Sequence, residues 1–465
     1  MSTGPDREEP SGLPKPGDPT KEGPSEGSSA TPGILRLAWP AIAGNLAYSV
    51  VGLVDIKIVG SLGSSAVAAV TTGHRIFWIL QAIMIAITAG TTALVARAWG
   101  ANDPDEVASV TRASLLLCTL IGAVMTFPAV VFADELAGIF ALDAATVASA
   151  ADFIRILSLF NVAFAGSMVI GSALRAAGDT MTPLWIGLGT NVVNVVLVYG
   201  LVYGRFGMPA MGVQGAALAT GLSLLASTGV CLALWRGGRL RVAYVSGPAM
   251  NRRRIGQLVR IGYPAGLEQA AMQIGFVVFL WIVSLYGTAP YAAYGIGVQI
   301  LSFSFVVGFG FNIAASTHVG QKLGAGDPLG AERSGWRAMR LSMISMAILS
   351  AIIIWSAEAI ASFMIDDPEV VRLTVIFIYV LGAAQPLMAI DFSLAGALRG
   401  AGDTRFPLYT TLAGLVVVRG SVAGLLAAMD FGVEWVFGAL LFDYCVKSTL
   451  LSLRFRHGGW KKIEL

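Results

Sequence analysis

The chain has 465 residues, of which 55% are hydrophobic and 13% are charged, and its formal net charge is +3. Because an ordinary soluble domain carries about 25% charged residues, this composition excludes a soluble globular protein. A nucleic-acid-binding protein needs a concentrated basic face, which so small a net charge does not supply. The composition is typical of a helical membrane protein with several spans, in which the 55 glycines allow helices to pack closely.

The chain divides into a polar beginning and a long apolar remainder. Residues 1–33 are rich in proline, glycine, serine and glutamate, which predicts a disordered cytoplasmic tail. A bilayer core of about 30 Å requires roughly 20 apolar residues per helix. By that measure the remainder contains twelve predicted transmembrane helices, at 35–60, 66–96, 110–132, 147–173, 182–204, 212–235, 260–286, 290–320, 338–357, 372–398, 406–428 and 432–453.

Basic residues predict the orientation of these spans. The loops after even-numbered spans contain most of the lysines and arginines, including six arginines between positions 236 and 254. The loops on the opposite side are mainly acidic. Since basic loops stay in the cytoplasm, we expect both termini to be cytoplasmic and the protein to span the inner membrane.

The most informative feature is an internal repeat. The segment ALRAAGDTMTPL at 173–184 returns as ALRGAGDTRFPL at 397–408, with nine of the twelve positions identical at an offset of 224 residues. The same offset relates the turn GANDP at 100–104 to GAGDP at 324–328. The Gly-Asp and Asp-Pro pairs in these segments favour tight turns and helix N-caps, with a role in gating as the alternative.

The repeat predicts the architecture. Each half contains six spans, an even number, so both halves insert with the same orientation and form parallel repeats around a central cleft. The predicted fold is an all-α membrane protein of two six-helix lobes. The predicted divisions are an N-terminal lobe at 34–235, a cytoplasmic linker at 236–259, a C-terminal lobe at 260–454 and a cytoplasmic tail at 455–465.

Several stretches resemble the multidrug and toxic compound extrusion (MATE) family of secondary transporters. They are PAIAGNLAYSVVGLVDIKIVG at 40–60, ALVARAWGANDP at 93–104, ALRAAGDTMTP at 173–183, NVVNVVLVYGLVYG at 191–204 and GAALAT at 215–220. The opening of span seven, GYPAGLEQ at 262–269, is similar to the prokaryotic DinF-like branch. The resemblance implies export of drugs or toxic organic cations across the lipid bilayer, driven by inward H⁺ or Na⁺. It implies no ATP site. We also expect no enzyme activity, cofactor or nucleic-acid partner, and the duplicated halves make a functional monomer sufficient.

Inserting an ionisable group into the membrane costs at least roughly 2.5–3.5 kcal/mol of free energy. Each such group inside a span is therefore expected to have a structural or functional role. Asp55 in span one occurs in one half only, since the repeat places Phe279 at its equivalent position. The resemblance implies that Asp55 is the proton or cation site of the N-terminal lobe. The alternative is an ion pair, although Lys57, two residues later, points to another face of the helix.

The resemblance also implies two neutral partners for Asp55, which are Asn194 and Thr220. Val198 stands where the family has a second carboxylate. Because a dehydrated Na⁺ ion requires several oxygen ligands with negative charge, the missing carboxylate favours H⁺ as the coupling ion.

The second half contains further charged residues inside spans. Glu268 is expected either to line the cleft or to satisfy the N-terminus of span seven. Asp391 in span ten is another cleft candidate, with pairing to Arg419 as the favoured alternative. Asp443 and Lys447 lie four residues apart on span twelve and are expected to pair.

Aromatic and methionine side chains are candidate substrate contacts, because they form adaptable apolar surfaces. The candidates are Tyr48, Phe164, Met272, Phe303 and Phe305. For each of them, packing against lipid or a neighbouring helix is the alternative.

Other functions remain as alternatives. One is a Na⁺-coupled exporter of the same family. Another is a lipid-linked precursor flippase, which would need a more cationic cleft than the few in-span arginines and lysines provide. An intramembrane enzyme would need convergent catalytic groups, and the three histidines lack metal-ligand spacing. His74 and Arg75 are expected to take interfacial positions.

Overall fold

The computed structural model describes residues 33–140, 142–245 and 252–465, so the predicted tail at 1–33, apart from its last residue, lies outside the described residues. The helices of the first half are α1 (Ile34–Gly60), α2 (Ser64–Gly100), α3 (Pro104–Val131), α4 (Ala133–Gly138), α5 (Ala144–Ser158), α6 (Asn161–Ala176), α7 (Met181–Tyr203) and α8 (Gly212–Arg236). Those of the second half are α9 (Arg252–Ser284), α10 (Thr288–Gly324), α11 (Pro328–Trp355), α12 (Ala357–Met364), α13 (Pro368–Gly400), α14 (Arg405–Thr411), α15 (Gly420–Ala428) and α16 (Val433–His457). A π-helical segment (Leu412–Arg419) joins α14 to α15, and a 3₁₀ turn (Gly459–Lys462) follows α16.

The spans agree with the all-α prediction. Within the described ranges, eleven helical segments are long and apolar enough to cross a bilayer, and α5 with α6 makes a twelfth span that is bent by 54°. One of the eleven is Arg405–Ala428, which includes the π-helical segment. The predicted all-α fold with twelve spans is confirmed, and the span predicted at 147–173 is bent between α5 and α6.

Polar contacts stabilise the break between α5 and α6. Thr126 on α3 donates a hydrogen bond to the carbonyl of Ser158 at 2.9 Å. Asn161, the first residue of α6, donates to Thr126 at 3.2 Å and accepts from Gln81 at 2.8 Å. A carbonyl freed at a helix break inside a membrane needs such a partner. The equivalent helix of the second half, α13, is continuous, so the break occurs in the first half only.

The duplicated turns have matching backbones. Asn102 and Gly326 are equivalent in the repeat and have φ angles of 54° and 72°, the left-handed region that favours asparagine and glycine. The next residues, Asp103 and Asp327, each accept a backbone N–H bond from the first turn of the following helix, at 2.9 and 2.7 Å. The N-caps predicted from the Asp-Pro pairs are therefore confirmed.

The helices form two lobes, the N lobe (α1–α8) and the C lobe (α9–α16), which meet through glycines. Gly100 on α2 faces the carbonyl oxygen of Gln321 on α10, and Gly324 on α10 faces that of Arg97 on α2. An added Cβ would lie 1.9 Å from the oxygen in each case. Both partners of the first contact map onto those of the second at the offset of 224 residues, so the lobes meet as equivalent copies. This reciprocity agrees with parallel repeats.

We call the side of the bundle that carries the turns 101–103 and 325–327 the basic face. Hydrogen bonds join the lobes there: Gln321 donates to the carbonyl of Ala176 at 2.8 Å, and its counterpart Arg97 donates to that of Ala401 at 3.4 Å. Arg97 also donates to the carbonyl of Ile463 in the C-terminal segment at 2.7 Å. The lobes are therefore held together at the basic face.

Helix α9 begins at Arg252, whereas span seven was predicted to begin at residue 260. The additional turns contact the N lobe. Arg254 Nη2 lies 2.5 Å from Glu106 Oε2 on α3, and Leu258 is fully buried where its backbone packs against Gly90 of α2. These contacts order the helix beyond the apolar stretch from which the span was predicted.

Candidate functional site

Asp55, Asn194 and Thr220 come together in the N lobe, although they belong to α1, α7 and α8. The amide NH₂ of Asn194 faces the carboxylate of Asp55, at 3.1 Å from Oδ2 and 3.3 Å from Oδ1. This orientation follows from the partners, because an ionised carboxylate only accepts hydrogen bonds. The other end of the amide lies 3.4 Å from the hydroxyl of Thr220, which donates to the carbonyl of Ala216 at 3.0 Å. The three predicted residues form one polar group, with Asn194 between Asp55 and Thr220.

The carboxylate of Asp55 has no charged partner nearby. Among the described residues, no lysine, arginine or histidine nitrogen lies within 4.0 Å of it. Lys57 is exposed on another face of α1. Val198, at the position where the resembling family has a second carboxylate, is fully buried in an apolar cluster with Ile58 and Val59. Asp55 is therefore a single acid whose neighbour across the helix contact is the neutral amide of Asn194.

A cavity of about 260 Å³ lies beside this group. Besides the three polar residues, its walls include Tyr48 on α1 and His74 and Trp78 on α2. The rings of Tyr48 and Trp78 meet edge to face with their centres 6.3 Å apart. The ring of Phe164 meets that of Trp78 edge to face at 6.0 Å. Because Asp55 is near the end of α1 that is farther from the basic face, the cavity lies in the half of the bundle away from that face.

Sequence reasoning missed two members of this wall. His74 was expected at the membrane interface, but it is half-buried and lines the cavity. Trp78 was not singled out. The spacing of four residues between them on α2 places both on one helix face, which was the signal available in the sequence. Their position next to Asp55 depends on how α2 packs against α1.

The predicted acids of the C lobe lie in ion pairs. Glu268 Oε1 is 2.6 Å from Arg399 Nη2 and accepts from the hydroxyl of Thr411 at 3.2 Å, and the residue is only 6% exposed. Because α9 begins at Arg252, Glu268 is well inside the helix, and the interpretation that it satisfies the helix N-terminus is wrong.

The expected pairing of Asp391 with Arg419 is also wrong. Arg419 Nη2 lies 2.5 Å from Asp443 Oδ2, whereas Asp391 Oδ2 lies 3.6 Å from Lys447 Nζ. The reason is that α16 packs against both α13 and the π-helical segment, so its own acid reaches Arg419. The expected pair of Asp443 and Lys447 is confirmed, at 3.5 Å.

The remaining substrate-contact candidates lie in the C lobe and do not line the cavity beside Asp55. Phe303 on α10 is 53% exposed. Phe305, on the same helix, packs its ring against those of Phe276 at 6.3 Å and Phe392 at 5.5 Å. Met272 on α9 is half-buried. The structure does not bring these three side chains into one site with Asp55.

No metal centre is formed by the part of the chain that the structure describes, since it contains no group of three or more histidine, cysteine, aspartate or glutamate side chains with suitable geometry.

Comparisons with known proteins match both halves of the chain. The family model MatE matches residues 40–200 and again residues 264–423. The probable multidrug resistance protein NorM of Thermotoga maritima is 30% identical over 437 residues, which is 92% of this chain and 93% of that protein. The NorM protein of Xanthomonas campestris is 28% identical over 449 residues, covering 93% of this chain and 97% of the relative.

Solved structures share the fold. A MOP superfamily transporter from Pyrococcus furiosus matches with a TM-score of 0.85 at 21% identity, over 92% of this chain and 96% of that one. A multidrug resistance MATE family transporter in an outward-facing conformation matches with a TM-score of 0.84 at 20% identity, over 91% and 94% of the two chains. With both halves matched by one family model and a relative aligned over nearly its full length, this chain belongs to the MatE family of membrane transporters.

Proposed function

We propose that the protein exports amphipathic, often cationic, small molecules from the cytoplasm in exchange for inward H⁺, and that Asp55 takes up and releases the proton. The observation that carries this proposal is a carboxylate that has no cationic partner within the described part of the chain and that faces a neutral amide beside a cavity. A cation that enters the cavity meets a free negative charge there. The names of the relatives, probable multidrug resistance proteins, support small-molecule drugs as cargo.

The surroundings of Asp55 favour a proton over Na⁺. Hard cations bind several oxygen ligands, with carboxylates supplying the negative charge. Here Asp55 is the one carboxylate among the described residues that line the cavity, its neighbours Asn194 and Thr220 are neutral, and Val198 is apolar. A proton needs only the carboxylate itself. When Asp55 is protonated, one of its oxygens becomes a donor while the other still accepts, so the hydrogen bonds between α1 and α7 change with the coupling step.

The contacts at the basic face suggest how this step is connected to export. Loops rich in arginine favour the cytoplasmic side for that face, which supports cytoplasmic termini and a location in the inner membrane. The cavity is then on the side from which H⁺ enters. Separation of the reciprocal contacts at Gly100 and Gly324 opens the cleft toward the cytoplasm, and the two lobes alternate between these states.

The experiment is ethidium transport by the purified protein in proteoliposomes, driven in separate samples by a proton gradient and by a Na⁺ gradient at fixed pH. We expect the proton gradient to drive transport and the Na⁺ gradient to leave it unchanged. Asp55→Asn removes the ionisable group and should lower the proton-driven rate by about tenfold or more, as expected for loss of a charged partner in a buried site.

The matched control is Asp105→Asn, which removes an exposed acid in the first turn of α3 and should leave the rate unchanged. Transport that follows the Na⁺ gradient would contradict the proposed coupling ion. An Asp55→Asn variant with the full rate would contradict the proposed site.

A further inference from the structure

The C lobe contains a second buried polar group, at the place equivalent to the N-lobe site. The offset of 224 residues takes Asp55 to Phe279 and Thr220 to Tyr444. In the C lobe, the guanidinium carbon of Arg419 lies 5.6 Å from the ring centre of Phe279 and 5.7 Å from that of Tyr444. A fixed cation therefore lies beside the counterparts of two residues of the N-lobe group.

This cation is paired with a carboxylate that the N lobe lacks. Arg419 and Asp443, 2.5 Å apart, are 1% and 0% exposed. Their counterparts in the N lobe are Val195 and Ala219, which are both uncharged. The N lobe thus has an acid whose counterpart is an aromatic ring, and the C lobe has an ion pair whose counterparts are apolar.

The local backbone accommodates the pair. Arg419 is the last residue of the π-helical segment, a geometry that is frequent at functional sites. Gly414, in the same segment, faces Asp443, and an added Cβ would lie 2.4 Å from Asp443 Oδ1. Because residue 414 has no side chain, the carboxylate of Asp443 fits against the π-helical segment.

The charges of the group balance. Besides Arg419, the charged and titratable groups around Asp443 are Lys447 and Tyr444 on α16, Asp391 and then Arg399 on α13, Tyr294 on α10 and Glu268 on α9. Arg419 and Lys447 offset the charges of Asp443 and Asp391, and Arg399 offsets that of Glu268. The group therefore has no net charge and needs no external ion to neutralise it.

We propose that Arg419 is a tethered counter-ion, which fills the C-lobe copy of the ion site and so confines coupling to the N lobe. This inference rests on the proposed role of Asp55. An arginine stays protonated in proteins, so the pair with Asp443 does not exchange a proton during the cycle. Removing the guanidinium leaves one excess negative charge in a buried place, which Asp443 relieves by binding an external proton.

The decisive measurement is proton uptake by purified protein, titrated from about pH 9 to pH 5, a range in which ordinary carboxylates remain ionised. Arg419→Met should take up one proton more than the double variant R419M/D443N. Both variants lack the guanidinium, and only the first has an unpaired carboxylate. The double variant should match the unmodified protein, whose Asp443 is held ionised by Arg419.

Equal uptake by Arg419→Met and the double variant would overturn the proposal. Arg419→Gln, a shorter neutral polar replacement, provides the same test if the methionine variant aggregates. Arg419→Lys keeps the charge and should take up no additional proton, and additional uptake by this variant would also count against a counter-ion role.

A second measurement connects the group to transport. In proteoliposomes held at zero membrane potential, the pH gradient at which ethidium transport reverses reports the number of protons exchanged for each ethidium. Arg419→Met should exchange one more proton than the double variant, and an unchanged ratio would overturn the inference about coupling. The uptake experiment involves no transport, so failure of Asp55→Asn to slow transport would contradict the proposed function without changing the outcome for Arg419.

Discussion

The cavity of the N lobe and the interior of the C lobe occupy equivalent places in the repeat, but they hold charge in opposite ways. In the N lobe, Asp55 faces the amide of Asn194 beside a cavity, and its carboxylate has no cationic partner among the described residues. In the C lobe, Asp443 is fully buried between Arg419 and Lys447. One copy leaves a carboxylate available, and the other supplies its own cation.

This difference shows which features the two copies must share. Gly100 and Gly324 each face a backbone carbonyl across the lobe contact, and any larger side chain would separate the helices on that side. Backbone packing therefore requires the same small residue in both halves. An ion pair such as Arg419 with Asp443 is contained within one lobe, so it is compatible with apolar residues at the equivalent positions of the other lobe.

The largest expected difference between the two regions is in stability. Asp443→Asn leaves the guanidinium of Arg419 buried without its carboxylate, and breaking a buried ion pair in this way costs about 3–5 kcal/mol. Asp55→Asn removes a carboxylate that has no cationic partner and should change stability by less than about 1 kcal/mol. Denaturant titration of both variants in detergent measures their free energies of unfolding. Equal losses of free energy in the two variants would contradict the contrast.

Gly414→Ala tests the fit of the C-lobe pair with less disruption. The added methyl group would lie 2.4 Å from Asp443 Oδ1, and overpacking of this kind costs about 1–3 kcal/mol. Gly424→Ala, in the helix that follows, meets no atom within 4 Å and should stabilise by about 0.5–1 kcal/mol. Unfolding midpoints that move in the same direction for both variants would show that the pair does not restrict position 414.

Asn194→Ala tests the N-lobe region through function. The variant removes the NH₂ donor from Asp55, and a hydrogen bond to a charged group contributes about 1.5–3 kcal/mol. We expect the proton-driven rate of ethidium transport to fall by about tenfold, and the free energy of unfolding to fall by no more than that contribution. Asn191→Ala, which alters the same cavity wall one turn earlier on α7, is the control and should retain most of the rate. Similar losses in the two variants would indicate a general effect on the wall.

The smallest expected effect concerns the asymmetry at the basic face. Arg97→Gln makes this position identical to its counterpart Gln321 and removes the bond to the carbonyl of Ile463. Loss of one hydrogen bond, about 1 kcal/mol, should raise the population of molecules open at the basic face by about fivefold. Distances between spin labels on α2 and α10 measure this population. Arg205→Gln, an exposed arginine outside the lobe contact, should leave it unchanged.

Much of the N-lobe site could be predicted from the sequence. Asp55 is an acid inside an apolar span without an equivalent in the other half, and the stretches around Asn194 and Thr220 resemble those of a known family. The cavity wall formed by His74 and Trp78 was not predictable, because it depends on the rotation of α2 against α1. The C-lobe pairing was predicted wrongly for Asp391, since spacing along one helix gives no information about which neighbouring helix supplies the partner.

Hydropathy and the internal repeat alone were sufficient to predict twelve spans, two parallel lobes and the capped turns at Asp103 and Asp327, because each depends on local composition or on a duplicated backbone. The packing of the helices decided the rest: the bend between α5 and α6, the π-helical turn that carries Arg419, and which acids have a cation as partner. An ion pair between distant segments forms only where side chains approach within a few ångströms, and that approach is a property of the assembled bundle.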